Sequence, residues 1–286
     1  MPDRLLPPQP ASTGHDAPPR ELLEFEFTPL LQEPFASAFA AASVADPAGR
    51  GRLLQRVAAS HEAARVMITA RRRRTPFEEP APGVRVHTLY RAEPARALRR
   101  GEPLRSRLIE IRPGGAWRLS DDARDHRECL VLSGWVRLGA EDLGARDFHV
   151  DSEGAPLLEA RSDEGTLLFV RESRVPARDG DAPFTVRDAQ AGWPEFAPGI
   201  RRRVLWQRDG EAALLYQAQP GAAVPQHDHG RDEECVMVEG ELFLDDTLLQ
   251  AGDYQLAPAG THHVVTHTDT GTIVYAHGDL DMQFTP

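Results

Sequence analysis

The chain has 286 residues, 41% of them hydrophobic, and its 44 acidic against 33 basic residues give a net charge of −11. That length supports one large domain or two small ones with real cores. The acid excess argues against non-specific binding to nucleic acid or to an anionic membrane, and no apolar run approaches the roughly 20 residues that a spanning helix needs.

Residues 1–20 are rich in proline and polar groups, which predicts disorder. They offer no apolar stretch ahead of a small-residue cleavage site, so they do not read as a secretory signal, and a cytoplasmic protein is expected. Lysine and asparagine are absent and all 33 basic residues are arginine. Both missing residues use A-rich codons, which points to a GC-rich, bacterial source. Residues 21–75 carry helical patterning, notably Leu53, Leu54, Val57, Ala58 and Val66 after Gly51. Arg71–Arg74 is expected to close that helix, where cations favour the C-terminal dipole. From residue 76 onward, short β-prone runs alternate with Gly, Pro and Asp turns, as in a β-sandwich or barrel. Cys129 and Cys235 sit inside apolar runs and read as buried free thiols.

Self-comparison sets the organisation. Phe77-Glu-Glu-Pro-Ala-Pro-Gly83-Val recurs as Trp193-Pro-Glu-Phe-Ala-Pro-Gly199-Ile, an offset of 116 residues. Glu128-Cys-Leu-Val-Leu-Ser-Gly134 recurs as Glu234-Cys-Val-Met-Val-Glu-Gly240, and Ala145-Arg-Asp147-Phe as Ala251-Gly-Asp253-Tyr, both offset by 106. Two copies of one β-domain in tandem are expected, 76–180 and 181–286. The first carries about ten extra residues around Glu93–Arg105.

The second copy contains Gly221-Ala-Ala-Val-Pro-Gln-His227-Asp-His229-Gly-Arg-Asp-Glu233, then Gly240. Further on it contains Gly252-Asp-Tyr-Gln-Leu-Ala-Pro258-Ala-Gly260-Thr-His262-His263. Residues two apart on a strand share a face, so His227 and His229 point to one side, with Glu233 past a short turn and His263 on a later strand. Three imidazoles and one carboxylate suit one divalent transition metal: zinc, iron, manganese or nickel, with copper also compatible. Glu234 and His262 are one-residue alternatives to Glu233 and His263; Gly240 falls at its motif position only if Glu233 is the ligand. By the same period, Cys235 and Met237 share the Glu233 face, and Val265 and His267 share the His263 face. His267 is therefore a candidate to orient a metal ligand from behind or to act as an acid or base beside the metal, or else a packed histidine. A pocket walled by Tyr216, Met237 and Phe243 is expected, with Arg231 as a candidate substrate contact. At offset 106 the first copy has Asp121, Ala123, Arg127 and Leu157 in place of the four ligands. It is expected to hold no metal.

Both segments fit the two cupin motifs, and with Trp193–Ile200 they resemble the ChrR-type cupins over about 85 residues of the second copy. The resemblance implies mainly-β, tandem double-stranded β-helix (cupin or jelly-roll) barrels behind a short helical N-terminal extension, with His227, His229, Glu233 and His263 as metal ligands. It also brings two functions: a metal-dependent sensor of anti-sigma type, and a metal-dependent dioxygenase cleaving β-diketone-like substrates. The anti-sigma domain of the namesake uses a histidine and paired cysteines. Residues 1–75 hold no cysteine and only His15 and His61, which argues against a sigma-factor partner. His267 stands where the second motif usually carries asparagine. The expected function is a small-molecule metalloenzyme of dioxygenase type, with the sensor as its alternative and a metal-stabilised storage cupin as a weaker third. A small-molecule ligand is the expected partner, with no nucleic acid and no membrane, and a homodimer is an open option.

Overall fold

The computed structural model describes residues 51–52, 54–55, 57–58, 66–93, 101–119, 126–151 and 158–284. Both repeats lie in one compact unit, within residues 59–286. Of the helical expectation for 21–75, the described residues between Gly51 and Ala58, and Val66, are helical. His15 and His61 lie outside the described residues.

Each repeat builds one large antiparallel sheet with the same strand order. In the first it runs Phe184–Val186, Phe148–Asp151, His126–Gly134, Thr166–Ser173, Pro103–Ile111, Val84–Arg91, Glu78–Ala81. In the second it runs Ile68–Ala70, Tyr254–Ala257, Glu233–Leu244, Thr272–Asp279, Glu211–Ala218, Ile200–Arg208, Glu195–Ala197. A smaller layer closes each barrel. In the first copy it is Gly115–Arg118, Glu159–Ser162, Val136–Leu138 and Glu141–Leu143.

The strand Glu233–Leu244 serves both layers of its barrel. A register shift between Met237 and Glu239 bends it, and Gly240 at φ +72° completes the bend. A Cβ on Gly240 would lie 2.1 Å from the Gly271 carbonyl oxygen, so glycine is the residue that fits. Gly134 repeats the same contact against Gly165, at 2.1 Å.

Alternation along these strands divides the core. Cys235, Met237, Leu242 and Leu244 face the interior of the second barrel, with Ile200, Leu214 and Tyr216. Val236 and Val238 face the other way, into a shared cluster with Leu130, Phe148, Phe169, Tyr254 and Tyr275 from both repeats. The barrels thus stand back to back across their large sheets, each side chain in that seam contributing about 1.5–3 kcal/mol by burial. Cys129 and Cys235 are both free and buried.

The helical expectation fails at its C-terminal end. Ile68–Ala70 is a strand, paired antiparallel with Tyr254–Leu256 of the second barrel. Arg71–Thr75 is a turn, closed by Thr75 N donating to the Arg71 carbonyl at 2.7 Å. The Arg71 guanidinium reaches Asp253 at 3.0 Å and the Leu248 carbonyl, so this basic run clasps the second barrel and ends no helix. The tertiary partner decides the conformation here: an open sheet edge offers a ladder of backbone bonds that a short helix end cannot match. Phe184–Val186 makes the reciprocal contact, pairing with Phe148–Val150 of the first barrel. Each repeat's leading strand therefore covers the edge of the other.

Candidate metal centre

His227 lies on the two-residue strand His227–Asp228, directly opposite His263 in an antiparallel pair and opposite Phe284 on its other side. Direct cross-strand partners project on the same face, so both imidazoles enter the barrel. His229 follows two residues on. The loop Gly230–Asp232 then turns the chain into Glu233, at the start of the long strand. Asp279 holds that loop, accepting the backbone N–H of Gly230 at 2.7 Å and of Arg231 at 3.1 Å. Asp232 accepts Ala259 N at 2.8 Å, tying it to the Pro258–Gly260 turn ahead of His263.

The three imidazoles are almost wholly buried, at 3%, 4% and 2% exposure for His227, His229 and His263. Their ring centroids lie 5.4 Å (His227–His229), 5.7 Å (His227–His263) and 5.0 Å (His229–His263) apart. One ligand atom each from His227, His229 and Glu233 falls within a mutual 4.8 Å. His263 stands outside that tight group but completes the ring of imidazoles. The Glu233 carboxylate is 3.6 Å from His229 Nε2.

Every Nδ1 is occupied. His227 Nδ1 donates to the Pro225 carbonyl at 3.1 Å, and His229 Nδ1 to Thr261 Oγ1 at 3.0 Å. His263 Nδ1 donates to the Asp245 carboxylate at 2.9 Å. These acceptors fix one tautomer on all three rings and leave each Nε2 lone pair directed inward. His229 Nε2 is buried with no hydrogen-bond partner. Burial holds the His229 pKa below its ordinary value; His263 and His227 add to the shift, and Glu233 opposes it. A neutral, orphaned, preoriented imidazole nitrogen beside two others and a carboxylate fits a divalent transition metal.

Asp245 escaped the sequence reading. It sits in the two-residue hairpin loop between Leu244 and Thr247, at φ +53°. Its Oδ1 accepts Val264 N at 2.7 Å and Val265 N at 3.1 Å, while Oδ2 holds His263. Burial raises the Asp245 pKa, but the His263 and backbone hydrogen bonds outweigh this and hold it below its usual value. The available signal was the Asp-Asp pair between two β-prone runs, a turn composition that tolerates positive φ.

Other expected residues separate. Glu233 and Glu234 point to opposite faces: Glu234 is fully buried in the seam, accepting from Arg171, Ser106 and, at 2.8 Å, Tyr254. His262 is exposed. Cys235 Sγ donates to Glu233 at 3.6 Å, and burial first, then the Glu233 charge, push the thiol pKa well up.

His267 departs from its expected place. Its ring stacks on Phe243 at 4.8 Å and 7°, and Phe243 lies between Leu242 and Leu244, which face the interior. The Phe243–His267 pair is therefore on the outer face, and neither residue walls the pocket. The irregular run after His263 breaks the period-2 alternation on which that expectation rests. Val265 is 46% exposed, in agreement. Arg231 is committed outward, to Asp279 at 3.4 Å and the Asp209 carbonyl at 3.0 Å. In the first barrel, Arg127 stands in the Glu233 position and pairs with buried Asp151 at 3.3 Å. Asp121, Ala123 and Leu157 lie outside the described residues. No helix among the described residues is long and apolar enough to cross a membrane.

Residues 181–282 match the family of ChrR cupin-like domains. No curated protein matches the chain. Among solved structures, YlbA of E. coli aligns with TM-score 0.57 at 12% identity, covering 74% of this chain and 90% of that one. Lactobacillus farciminis oxalate decarboxylase in complex with formate aligns at 0.55 and 14%, covering 76% and 87%. A candidate dioxygenase from Nostoc punctiforme PCC 73102 aligns at 0.53 and 15%, covering 64% and 73%. At these identities the likeness is one of fold.

Proposed function

We propose, from the match of residues 181–282 to the ChrR cupin-like domains, that His227, His229, Glu233 and His263 hold one divalent transition metal, and that the chain is a small-molecule metalloenzyme of dioxygenase type taking a 1,3-dicarbonyl or similar substrate. The observation that carries this reading is the shared tautomer: three Nδ1 atoms tied by Pro225, Thr261 and Asp245, and a buried His229 Nε2 left without a partner. A metal held there supplies Lewis acidity and open coordination positions for a chelating ligand. The chain's own residues orient the donors and keep the surroundings apolar, through Tyr216, Met237 and Cys235 of the interior cluster.

Purified without a histidine tag, the protein should carry a transition metal at about one per chain. Loaded with Fe(II), it should consume oxygen when given acetylacetone. A protein that arrives without metal and takes none up on titration sinks the proposal at its root. The family match favours one rival, a metal-dependent sensor. Metal binding without oxygen uptake on any 1,3-dicarbonyl, together with a regulatory protein that co-purifies, would put the sensor in its place.

A further inference from the structure

The deeply buried arginines of this acidic chain are paired. Arg127 meets Asp151, Arg171 meets Glu128 and Glu234, and Arg203 meets Asp188. Arg202 departs from that pattern. It is half-buried, with its guanidinium 4.3 Å above the Phe196 ring and its Nη1 donating to the Leu280 carbonyl at 2.8 Å. Among the described residues, no carboxylate forms an ion pair with it. A guanidinium drawn partly out of water without a counter-charge is costly, and a sequence with surplus acids had every means to supply one.

Its surroundings place it at the proposed metal centre. Arg202 lies opposite Tyr216 in antiparallel register, and Phe196 packs edge-on against the Tyr216 ring at 5.7 Å and 70°. Tyr216 belongs to the interior cluster with Cys235, the residue whose thiol reaches Glu233. The backbone that anchors Arg202 also passes Glu233: a Cβ on Gly278 would lie 3.2 Å from Glu233 Cβ. Leu280 follows two residues later, on the order of 7 Å along the chain. Burial, and then the Glu233 charge, raise the Tyr216 pKa against the pull of Arg202, so the phenol stays neutral between the two charges.

We propose that Arg202 is the anion anchor of the second barrel, and that the ligand taken at the histidine–glutamate group is a small chelating organic acid whose carboxylate meets this guanidinium. The inference rests on the metal-site reading above and names its substrate class. Phe196 holds the guanidinium plane, so its planar fork meets a carboxylate with little ordering cost. A neutral diketone satisfies the metal but brings no counter-charge to that guanidinium.

Acetylacetone and 2,4-dioxopentanoate form a matched pair, sharing one chelating head while only the second carries a carboxylate. Binding of each to the cobalt-loaded full-length protein is followed by the change in the cobalt absorption bands. The wild type should hold the acid about tenfold to a hundredfold tighter, the range of one charge-assisted hydrogen-bonded pair. Arg202→Met should lose that preference while keeping its cobalt content and its acetylacetone affinity. Arg202→Lys should retain part of it, which separates loss of charge from loss of fold. An unchanged preference in Arg202→Met overturns the inference and leaves the metal site standing, as does wild-type protein that binds cobalt but shows no preference for the acid. Failure of the wild type to take up cobalt overturns the metal reading and this inference with it.

Discussion

At the scale of single residues, the candidate site depends on groups that hold the proposed ligands as much as on those side chains. Asp245 fixes the His263 tautomer and, by accepting two consecutive backbone N–H groups, also fixes where His263 sits on the chain. Removing such a carboxylate ordinarily costs about 10–100-fold in metal affinity. Asp245→Ala should show a loss in that range by chelator competition, and Asp245→Asn, which keeps an acceptor oxygen, a smaller one. Equal affinities in all three proteins would show that His263 is positioned without Asp245. His229 gives a prediction for the metal-stripped protein. Burial lowers its folded-state pKa below the ordinary 6.5, so on acidification the unfolded chain takes the proton first. Its effect on stability is nil above pH 6.5 and becomes a loss as pH falls from there toward the folded-state value. The melting temperature of stripped wild type should therefore drop across this range, and His229→Gln should flatten the slope. A stripped wild type with no slope there would contradict the assignment. The four proposed ligands were legible because period-2 geometry and two motifs fix their spacing. Asp245 was not: its partner is 18 residues away and its own signal is only a turn.

Pairing between elements is where the repeat becomes structure. Glu128 and Glu234 occupy the same place in the two copies, and Arg171, on Thr166–Ser173, bonds both, reaching Glu128 at 3.2 Å. Tyr275 Oη donates to Glu128 at 2.6 Å, and His277, which stands at the Arg171 position in the second copy, lies 3.1 Å from Glu128. Burial raises the Glu128 pKa, but His277 and Arg171 outweigh it and hold the carboxyl well below its ordinary value. Glu128 therefore contributes stability above about pH 4.5 that is lost as pH falls below it, a window separate from that of His229. Arg171→Met leaves two buried carboxylates without their shared counter-charge. That should cost about 3–5 kcal/mol, read as a lowered denaturant midpoint. A loss under 1 kcal/mol would mean that the carboxylates accept protons and remain buried, and the variant should then be more stable at acid pH than at neutral. The recurrence of Glu-Cys was visible in the sequence as a repeat. Its meaning as a seam was not, because the bonds run between copies. The same long-range logic hid Ile68–Ala70, whose strand partner, Tyr254–Leu256, lies near the other end of the chain.

At the scale of the whole molecule, the two barrels complete each other, and this bears on assembly and on how the half that carries the candidate metal centre is to be studied. Val236, Val238, Leu215, Tyr254 and Tyr275 of the second barrel are covered by Leu130, Phe148 and Phe169 of the first. Glu234 relies on Arg171 from across the seam, and the edge at Tyr254–Ala257 relies on Ile68–Ala70. The face through which two separate cupins would pair is thus already filled within one chain, so a homodimer would have to use a different surface. An excised fragment of residues 181–286 would expose an apolar face, a buried carboxylate without its arginine and an open strand edge together. It should therefore either fail to fold cooperatively or pair with its own copy through that face. Size-exclusion chromatography with thermal melting distinguishes the two, and adding residues 66–180 in trans should restore a one-to-one complex and the melt. A fragment that is monomeric and melts as the intact chain does would show that the seam adds nothing to stability. The first barrel would then need some other reason to stand beside the proposed metal centre.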